Sequence, residues 1–352
     1  MQTSILIVGQ GLAGSVLALE AIDRGIAVKV IDLGYTKGSS YVAAGLVNPI
    51  TGRQHKLTWQ AERLFSTLKP FYRQWERKLK ASFFYELPLY FPITSVGEWN
   101  SWSEVALSEA YRPFVQPPSD PHYTSLIGQQ LKQVTLNQTG YLDTRSFLAA
   151  VRAWLVERQL LVEATVDHQA IASQGDRVIY QNEAYDYLVF CEGARATKNP
   201  LFDHLDMRPA KGHILEGTIE EGSFQHIINR NGWLLPLSDK KILYGSTYEH
   251  TKTDLNVDAE QEQLLLERIG RLLLVDFNHE HTRVGIRPAT ADRKAFLGRH
   301  PVHHRLALFN GLGSKGVSQA PFLARQLLDH LIDQAPLLAE IDIQRKGAQK
   351  KR

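Results

Sequence analysis

The pattern Gly9-Gln10-Gly11-Leu12-Ala13-Gly14 restricts the possible folds of this chain more than any other sequence feature. It follows the β-branched run Ser4–Val8, which is typical of a buried parallel strand, and it opens a helix-forming segment at residues 12–24. Gly25 ends that segment, and residues 26–32 form a second predicted strand. Because strand–helix–strand crossovers are right-handed, both strands belong to one parallel sheet. These residues therefore predict a βαβ unit of an α/β fold.

The three glycines of this pattern fit the binding of a dinucleotide. Gly9 permits the tight turn, Gly11 lets the backbone approach a pyrophosphate, and Gly14 allows close helix–strand packing. The pyrophosphate would lie at the helix N-terminus, where free N–H groups and the helix dipole favour negative charge. Asp32 ends the second strand, where its carboxylate can accept a hydrogen bond from a ribose hydroxyl. Taken alone, the pattern also occurs in βαβ turns that bind nothing, and it does not distinguish FAD from NAD.

Length, charge and cysteine content narrow the class of protein further. A chain of 352 residues predicts about two domains. The net charge of +3 is too small to indicate nucleic-acid binding by itself. The single cysteine, Cys191, can form neither an intramolecular disulfide nor a CxxC motif. The apolar runs are too short to span a bilayer and no cleavable signal is evident, so we expect a cytoplasmic protein without a membrane partner.

Beyond the βαβ unit, α/β segments alternate with β-rich segments. Residues 83–123 are rich in aromatic residues and proline, which favours loops and antiparallel strands. The other predicted elements are a helix from Thr144, a strand over 187–190, a hairpin around 238–240, a helix over 258–274, a strand over 307–310 and a helix over 319–332.

This alternation predicts two discontinuous domains. The expected fold class is α/β, with a Rossmann-type domain into which a second, β-rich (α+β) domain is inserted discontinuously. We expect the Rossmann-type domain to comprise residues 1–80, 140–205 and 285–345, the second domain to comprise residues 81–139 and 206–284, and residues 346–352 to form a basic tail.

Further segments, in order along the chain, carry a resemblance to a known family. They are residues 39–49, 143–151, 187–194, 208–216, 284–289 and 308–324. Together they resemble the FAD-dependent D-amino-acid oxidase and glycine oxidase family, which includes sarcosine oxidase. The resemblance covers nearly the whole chain and is weakest through residues 55–135. It implies that the Rossmann-type domain binds FAD and that the second domain binds the substrate.

The resemblance also assigns residues to the FAD site. It implies that Asp32 holds the adenosine ribose, that Ser39 and Ser40 lie near the ribose or the phosphates, and that the backbone of Val166 contacts adenine. The other implied cofactor contacts are Gly9, Gly11, Leu12, Ala13 and Gly14 in the glycine-rich turn, Leu33, then Ala43, Ala44, Gly45, Leu46 and Val47 against the flavin ring, Cys191, Glu192, Gly193 and Ala194 beside the phosphates, and Gly311, Leu312, Gly313, Ser314, Lys315 and Gly316 over the isoalloxazine. Backbone N–H groups in the last loop would stabilise negative charge on the reduced flavin. We expect the FAD to be non-covalent, because the flavin loop contains no histidine and Cys191 is expected on the phosphate side.

Arg287 matches the arginine that binds the substrate carboxylate in the amino-acid oxidases. A guanidinium suits this role because its planar fork binds a carboxylate through two hydrogen bonds and stays protonated. The match also places Arg287 beside the flavin, among the cofactor contacts. The alternative interpretation is a structural ion pair between the domains.

Two positions depart from the family pattern. Trp233 stands where related oxidases often carry tyrosine, so it either forms the wall of a pocket for a bulkier or more apolar substrate or belongs to the core. Lys315 could lower the barrier to electron transfer to oxygen by offsetting negative charge, or it could be a solvated lysine. Tyr248 is a further candidate for the substrate pocket. His279-Glu280-His281 and His303-His304 lack the i, i+4 spacing of a zinc site, so we predict no metal.

The resemblance implies FAD-dependent oxidation of a small amine or amino acid. In the family mechanism, hydride passes from the C–H beside a neutral amine to flavin N5, and the resulting imine hydrolyses. Oxygen or another acceptor then takes the electrons. Two alternatives stay open at this point. Residues 43–53 also resemble the FAD domain of the bifunctional tRNA 5-methylaminomethyl-2-thiouridine enzyme, which oxidises a carboxymethylamino group on a wobble uridine and would make tRNA the partner. The other alternative is a non-catalytic FAD-binding protein.

Overall fold

The computed structural model of the protein describes residues 3–34, 36, 38–52 and 54–350. Its helices are α1 (Leu12–Asp23), α2 (Ser39–Val42), α3 (Ala61–Leu79), α4 (Val96–Leu107), α5 (Thr144–Glu157), α6 (Ala259–Leu272) and α7 (Gly316–Ile332). Its strands are β1 (Ser4–Val8), β2 (Ala27–Ile31), β3 (Leu46–Val47), β4 (Ile50–Thr51), β5 (Lys56–Leu57), β6 (Phe84–Glu86), β7 (Leu89–Ile93), β8 (Lys132–Leu136), β9 (Gly140–Leu142), β10 (Leu161–Val162), β11 (Ala172–Gln174), β12 (Arg177–Tyr180), β13 (Glu183–Tyr185), β14 (Tyr187–Phe190), β15 (Ala210–Ile219), β16 (Ile227–Asn229), β17 (Trp233–Pro236), β18 (Lys241–Gly245), β19 (Phe277–Arg287), β20 (Phe296–Arg299) and β21 (Leu306–Asn310).

The first sheet has six strands in the order β10-β2-β1-β14-β21-β20. All pairs are parallel except β20 with β21. Strand β1 lies between β2 and β14, and Val8 pairs with both Ile31 and Phe190. The carboxyl ends of these three strands therefore meet at one edge, which is where ligands bind in open α/β sheets.

Side chains of β1 alternate between two cores. Ile5 and Ile7 pack in the cluster that contains α1, α3, α5 and α7, whereas Leu6 and Val8 pack in the cluster on the opposite face. Since successive strand residues point to opposite faces, this alternation buries the sheet on both sides. The second face is covered partly by the small antiparallel sheet β11-β12-β13.

The second sheet has seven strands in the order β19-β15-β18-β17-β16-β7-β8. Its pairs are antiparallel except for β16 with β7. Its longest pair, β15 with β19, ends with Ala210 opposite Arg287. Helix α6 packs on this sheet through Leu265, Ile269 and Leu272. The two small sheets β3-β9-β6 and β4-β5 complete the described architecture.

The structure confirms the predicted fold class, a parallel-sheet α/β unit combined with a second, β-rich unit. The boundaries drawn between the two domains stay predictions, and Lys351 and Arg352 of the predicted basic tail lie outside the described residues. None of the described helices combines the length and the apolarity needed to cross a bilayer.

Two element predictions were wrong. Residues 96–107, predicted as loops and strands, form α4, whose Ser95 side chain caps the N–H of Glu98 at 3.2 Å. This Ser-x-x-Glu spacing is a helix-start signal that the aromatic composition obscured. The last helix begins at Gly316 rather than at residue 319. A Cβ at Gly316 would lie 2.8 Å from Leu12 Cδ2, so glycine here permits the first turn of α7 to pack against α1.

Candidate functional site

A cavity of about 1140 Å³ connects the carboxyl ends of the first sheet with the second sheet. Val8 and Asp32 line it from the first sheet, and Trp233 and Arg287 line it from the second. Both predicted halves of the site therefore open into a single space.

The glycine-rich turn forms one wall of this cavity. Gly9 has a φ of +102°, and a Cβ there would lie 2.6 Å from the carbonyl oxygen of Cys191. A Cβ at Gly14 would lie 1.8 Å from the carbonyl oxygen of Gly9. Gly11 is the N-cap of α1 and has no side chain of its own to cap the helix. The turn thus presents backbone at a helix N-terminus, an arrangement that favours an anionic ligand.

Asp32 is held rigidly at the end of β2. Its carboxylate accepts hydrogen bonds from the N–H groups of Gln10 at 2.9 Å and Gly34 at 2.8 Å. Arg152 Nη1 lies 3.4 Å from the same carboxylate. These contacts fix the side chain beside the glycine-rich turn, so it needs little reordering to accept a ribose hydroxyl.

Arg287, the last residue of β19, brings a largely desolvated cation to the other part of the cavity. Nη2 donates to Ser246 Oγ at 2.8 Å, and Nη1 donates to the carbonyl oxygen of Thr247 at 3.1 Å. The ring of Tyr248 faces the guanidinium at 4.5 Å. Burial lowers the pKa of Arg287. Among the described residues, no carboxylate forms an ion pair with this guanidinium.

Lys315 supplies a second cation to the cavity. Its Nζ donates to Thr51 Oγ1 at 3.0 Å and to Thr58 Oγ1 at 3.4 Å. Burial, and then repulsion by Lys294, lowers the pKa of Lys315. Within the part of the chain that the structure describes, its partners are hydroxyl groups and no carboxylate pairs with it. The side chain is partly buried and held by named partners, unlike a freely solvated lysine.

Trp233 and Tyr248 lie on the cavity wall with different degrees of exposure. Trp233 is partly buried, and a Cβ at Gly245 would lie 2.9 Å from its Cζ2. The absence of a side chain at Gly245 therefore makes room for the indole. Tyr248 is 52% exposed. The indole forms a fixed wall, whereas the tyrosine lies at the surface.

A family model described as FAD dependent oxidoreductase matches residues 4–330. The chain belongs to the FAD-dependent oxidoreductase family. This confirms the predicted family, its oxidoreductase class and its cofactor, FAD.

Individual relatives of this FAD-dependent oxidoreductase are distant. It is 25% identical, over 99% of its length, to the bifunctional protein ThiO/ThiG of Nostoc sp., and it covers 56% of that protein. It is 23% identical, over 96% of its length, to the tRNA 5-methylaminomethyl-2-thiouridine biosynthesis bifunctional protein MnmC of Aeromonas hydrophila, and it covers 57% of that protein. The chain thus spans about half the length of these curated relatives. Glycine oxidase from Geobacillus kaustophilus has the same fold, with a TM-score of 0.79, 19% identity and complete coverage of both chains.

The structure places nearly all the predicted site residues of this FAD-dependent oxidoreductase on one cavity. The predicted residues that line it are Gly9, Gly11, Leu12, Ala13, Asp32, Leu33, Ser39, Ser40, Ala43, Ala44, Gly45, Leu46, Val47, Val166, Cys191, Glu192, Gly193, Ala194, Trp233, Tyr248, Arg287, Leu312, Gly313, Ser314, Lys315 and Gly316. Gly14 and Gly311 do not line the cavity. Gly14 packs against Gly9, and a Cβ at Gly311 would lie 2.7 Å from Thr290 Cγ2, so both permit close backbone packing behind the wall.

The residues present fit FAD. The glycine-rich turn and Asp32 provide a site for the pyrophosphate and the ribose at adjacent strand ends. In the segment 43–47, Gly45 has a φ of +69° and a Cβ there would lie 1.9 Å from the carbonyl oxygen of Leu142, so glycine lets this part of the cavity wall pack against β9. Ser40 Oγ accepts the N–H of Leu12 at 3.1 Å and ties that region to the start of α1. The N-terminus of α1 faces this space, and helix N-termini favour phosphate groups.

Sequence reasoning missed several residues of the cavity wall. Thr51, Ser246, Thr253 and Leu255 all line it. No local motif marks them, because they come to the cavity only in the folded chain. His168 was also missed, although its Nε2 lies 3.0 Å from Oε1 of Glu192. Among the described residues, no cluster of three or more His, Cys, Asp and Glu side chains is arranged to hold a metal ion.

Proposed function

We propose that this protein oxidises an amine that carries a carboxylate, such as an amino acid or an N-alkyl amino acid. Hydride leaves the C–H beside the neutral amine, and the imine that forms is hydrolysed in water. The observation that supports this proposal is Arg287, a largely buried guanidinium in the cavity wall whose described partners include no carboxylate.

The unused hydrogen-bond donors of Arg287 favour a carboxylate ligand. A guanidinium has five N–H donors, and the hydrogen bonds of Arg287 go to the hydroxyl of Ser246 and to the carbonyl oxygens of Lys211 and Thr247. Donors therefore remain for a ligand. A desolvated cation without an anionic partner costs free energy, and a carboxylate bound through two hydrogen bonds offsets that cost.

The charges around this site favour a neutral amine. The acidic residues among the described cavity lining are Asp32 and Glu192. Both are already engaged, Asp32 by backbone N–H groups and Glu192 by His168 and Asn199. With Arg287 present and no carboxylate to stabilise an ammonium, the pKa of a bound amine falls. The neutral form has the lone pair that assists hydride departure.

FAD, when bound, supplies the hydride acceptor and passes the electrons to oxygen or another acceptor. The chain's own residues orient the substrate: Arg287 holds its carboxylate, Trp233 forms the apolar wall, and Tyr248 covers the guanidinium. Lys315 is proposed to offset the negative charge that develops when oxygen takes up electrons.

The test is an anaerobic visible spectrum of the FAD-loaded protein titrated with glycine, N-methylglycine, proline and D-alanine. Bleaching of the flavin band by one of these amines is the expected result. Arg287→Ala should raise the apparent Kd of that amine about 30-fold or more while FAD stays bound, because a desolvated charge-assisted pair is lost. Arg287→Lys keeps the charge but not the planar fork, so its apparent Kd for the amine should lie between those of wild type and Arg287→Ala. Loss of flavin with unchanged amine affinity would refute the carboxylate role.

A second candidate is oxidation of a modified tRNA base. The full-length similarity of this chain to MnmC of Aeromonas hydrophila favours it. Two exposed cations, Arg195 and Lys198, also belong to the cavity lining, where they could contact phosphates. Bleaching by tRNA that carries carboxymethylaminomethyluridine, with no bleaching by any free amine, would select this candidate.

A further inference from the structure

One part of the cavity wall is a loop rather than a strand end. Residues 246–258 connect β18 to α6, and Ser246, Tyr248, Thr253 and Leu255 of this 246–258 loop line the cavity. Most of the loop is exposed to solvent. The position of these side chains therefore depends on what ties the loop to the second sheet.

One contact between the loop and the sheet is an ion pair between a buried lysine and an exposed aspartate. Lys211 lies on β15 and is 1% exposed. Its Nζ donates to Asp254 Oδ1 at 2.8 Å, and Asp254 keeps 47% of its side chain exposed. The hydrogen bond from Lys211 holds the pKa of Asp254 below its ordinary value. Asp254 stands between Thr253 and Leu255, so the pair fixes the stretch of loop that faces the cavity.

Backbone and histidine contacts attach the two ends of the loop to the same strand. Lys211 exchanges both backbone hydrogen bonds with Glu249, at 2.7 and 2.9 Å. His213 Nε2 accepts the N–H of Asp258 at 3.1 Å, and its Nδ1 lies 2.9 Å from Thr247 Oγ1. The Lys211–Asp254 pair is the side-chain link between these two attachments.

The backbone of Lys211 lies close to the side chain of Arg287. The carbonyl oxygen of Lys211 lies 3.5 Å from Arg287 Nη1, and Tyr248 stacks on the same guanidinium. The carbonyl group of Lys211 therefore contacts Arg287, and its ammonium group holds the loop that carries Tyr248. Lys211 itself is not among the residues that line the cavity.

We propose that Lys211 is a positioning residue of the substrate site, which acts through Asp254 to hold the 246–258 loop so that Tyr248 stays over Arg287. The proposal rests on the proposed function, in which Arg287 binds the substrate carboxylate. A buried lysine contributes less stability than an apolar side chain of similar size, so its pairing with Asp254 sets geometry. When the pair is lost, the carboxylate site loses part of its wall and binds more weakly.

The experiment uses the FAD-loaded protein and variants of the exposed partner, because Asp254 can be changed without leaving a hole in the core. Asp254→Ala removes the pair, and Asp254→Glu keeps the carboxylate. Lys252→Gln is the matched control, since it removes an ion pair between the exposed Lys252 and the largely buried side chain of Asp258 in the same loop, and leaves the contacts of the loop with β15 in place. Two quantities are measured: hydrogen–deuterium exchange of the amides at 249–258, and the Kd of acetate from the change in flavin absorbance.

The expected result for Asp254→Ala is faster amide exchange at 249–258 and a Kd for acetate raised about ten-fold, with FAD content unchanged. The Kd of acetate for Asp254→Glu should stay within about three-fold of the wild-type value. Lys252→Gln should match wild type in both acetate Kd and amide exchange. If exchange or acetate affinity is unchanged in Asp254→Ala, the proposal is wrong. Lys211→Met, provided that it folds, should reproduce Asp254→Ala.

If the proposed function is wrong, the wild-type protein itself fails the binding test. A wild-type protein that binds no acetate and is reduced by no amine would refute the carboxylate site. Amide exchange would then decide the role of Lys211 alone: faster exchange in Asp254→Ala upholds the tether, and unchanged exchange overturns it.

Discussion

Gly212 of β15 leaves the space that the guanidinium of Arg287 occupies. A Cβ built on Gly212 would lie 2.2 Å from Nη1 and 2.4 Å from Nη2 of that arginine. Across the strand pair, Gly212 stands opposite Gly285, two residues before Arg287. The orientation of the Arg287 side chain thus depends on the absence of a side chain at Gly212 on the neighbouring strand.

Gly212→Ala should therefore weaken carboxylate binding without unfolding the protein. The atoms in the way belong to the far end of a flexible side chain, so the guanidinium moves aside and the backbone stays in place. We expect the KM for a carboxylate-bearing amine to rise about ten-fold or more, with Tm within about 2 °C of wild type. Steady-state kinetics and a thermal melt test this. Gly128→Ala, where the nearest atom lies 3.8 Å away, is the control. A wild-type KM in Gly212→Ala would contradict the steric argument.

The local sequence was enough to predict the glycine-rich turn and the position of Asp32 on the cavity wall, because these residues are neighbours at the ends of β1 and β2. Gly14 was predicted to allow close packing of the helix on the strands, and in the structure it packs against the backbone of Gly9. In contrast, Thr51 of β4 and Ser246 of the 246–258 loop contact Lys315 and Arg287 from segments distant in sequence. No pattern within either segment indicates which cation it contacts in the folded chain.

The errors in the elements have a similar origin. The aromatic and proline content of residues 83–123 favours loops and strands, whereas the Ser95-x-x-Glu98 capping pattern within them starts a helix. Gly316 looked like part of a glycine loop, but its small size serves contact with Leu12 on α1. That requirement is visible only when the two helices are placed together.

Gly14→Ala should abolish FAD binding and lower stability. The added Cβ would meet backbone, the carbonyl oxygen of Gly9 at 1.8 Å, so α1 must separate from the glycine-rich turn. We expect the purified variant to lose most of its flavin and to melt at a Tm lower by roughly 5 °C or more. Gly97→Ala is a matched helical control, because its nearest neighbour lies 4.0 Å away. Retention of full flavin content by Gly14→Ala would refute the packing role.

Glu216 is the centre of a buried ion network in the second sheet. Its Oε2 accepts from Arg283 Nε at 2.6 Å, and its Oε1 pairs with Lys241 at 2.7 Å. Burial alone would raise the pKa of Glu216, but the hydrogen bonds from Lys241 and Arg283 outweigh it, and the pKa is lowered from its ordinary 4.5. A carboxyl with a lowered folded-state pKa stabilises the fold above its ordinary pKa, and this contribution is lost as the pH falls through the folded-state value.

Glu216→Gln should consequently destabilise the protein at pH 7 by about 3 kcal/mol, because Arg283 is left buried without its charge partner. The difference in unfolding free energy between wild type and variant should begin to shrink below about pH 4.5, where the carboxyl of the unfolded chain protonates, and should be lost as the pH falls through the lower folded-state pKa. Urea denaturation at a series of pH values measures it. Asp120→Asn, which loses an exposed pair with Lys132, is the control and should leave the unfolding free energy close to that of wild type. A difference that stays constant down to pH 3 would exclude this linkage.

Lys315→Met tests whether the second cation acts on the cofactor. Lys315 is held by Thr51 and Thr58, and no described carboxylate neutralises it, so its charge acts on whatever occupies the cavity. Removing a positive charge beside FAD disfavours the reduced, more negative form, and the midpoint potential should become more negative by about 30 mV or more, equivalent to roughly 1.4 kcal/mol. Lys294→Met is the control, because Lys294 lies over Trp59, 5.4 Å from the ring centroid, and outside the cavity lining. Lys294→Met removes a nearby positive charge and should shift the midpoint potential by less than half as much as Lys315→Met. Equal shifts in the two variants would mean that Lys315 contributes only to the general field of the protein, whereas a selective shift places its ammonium against the flavin.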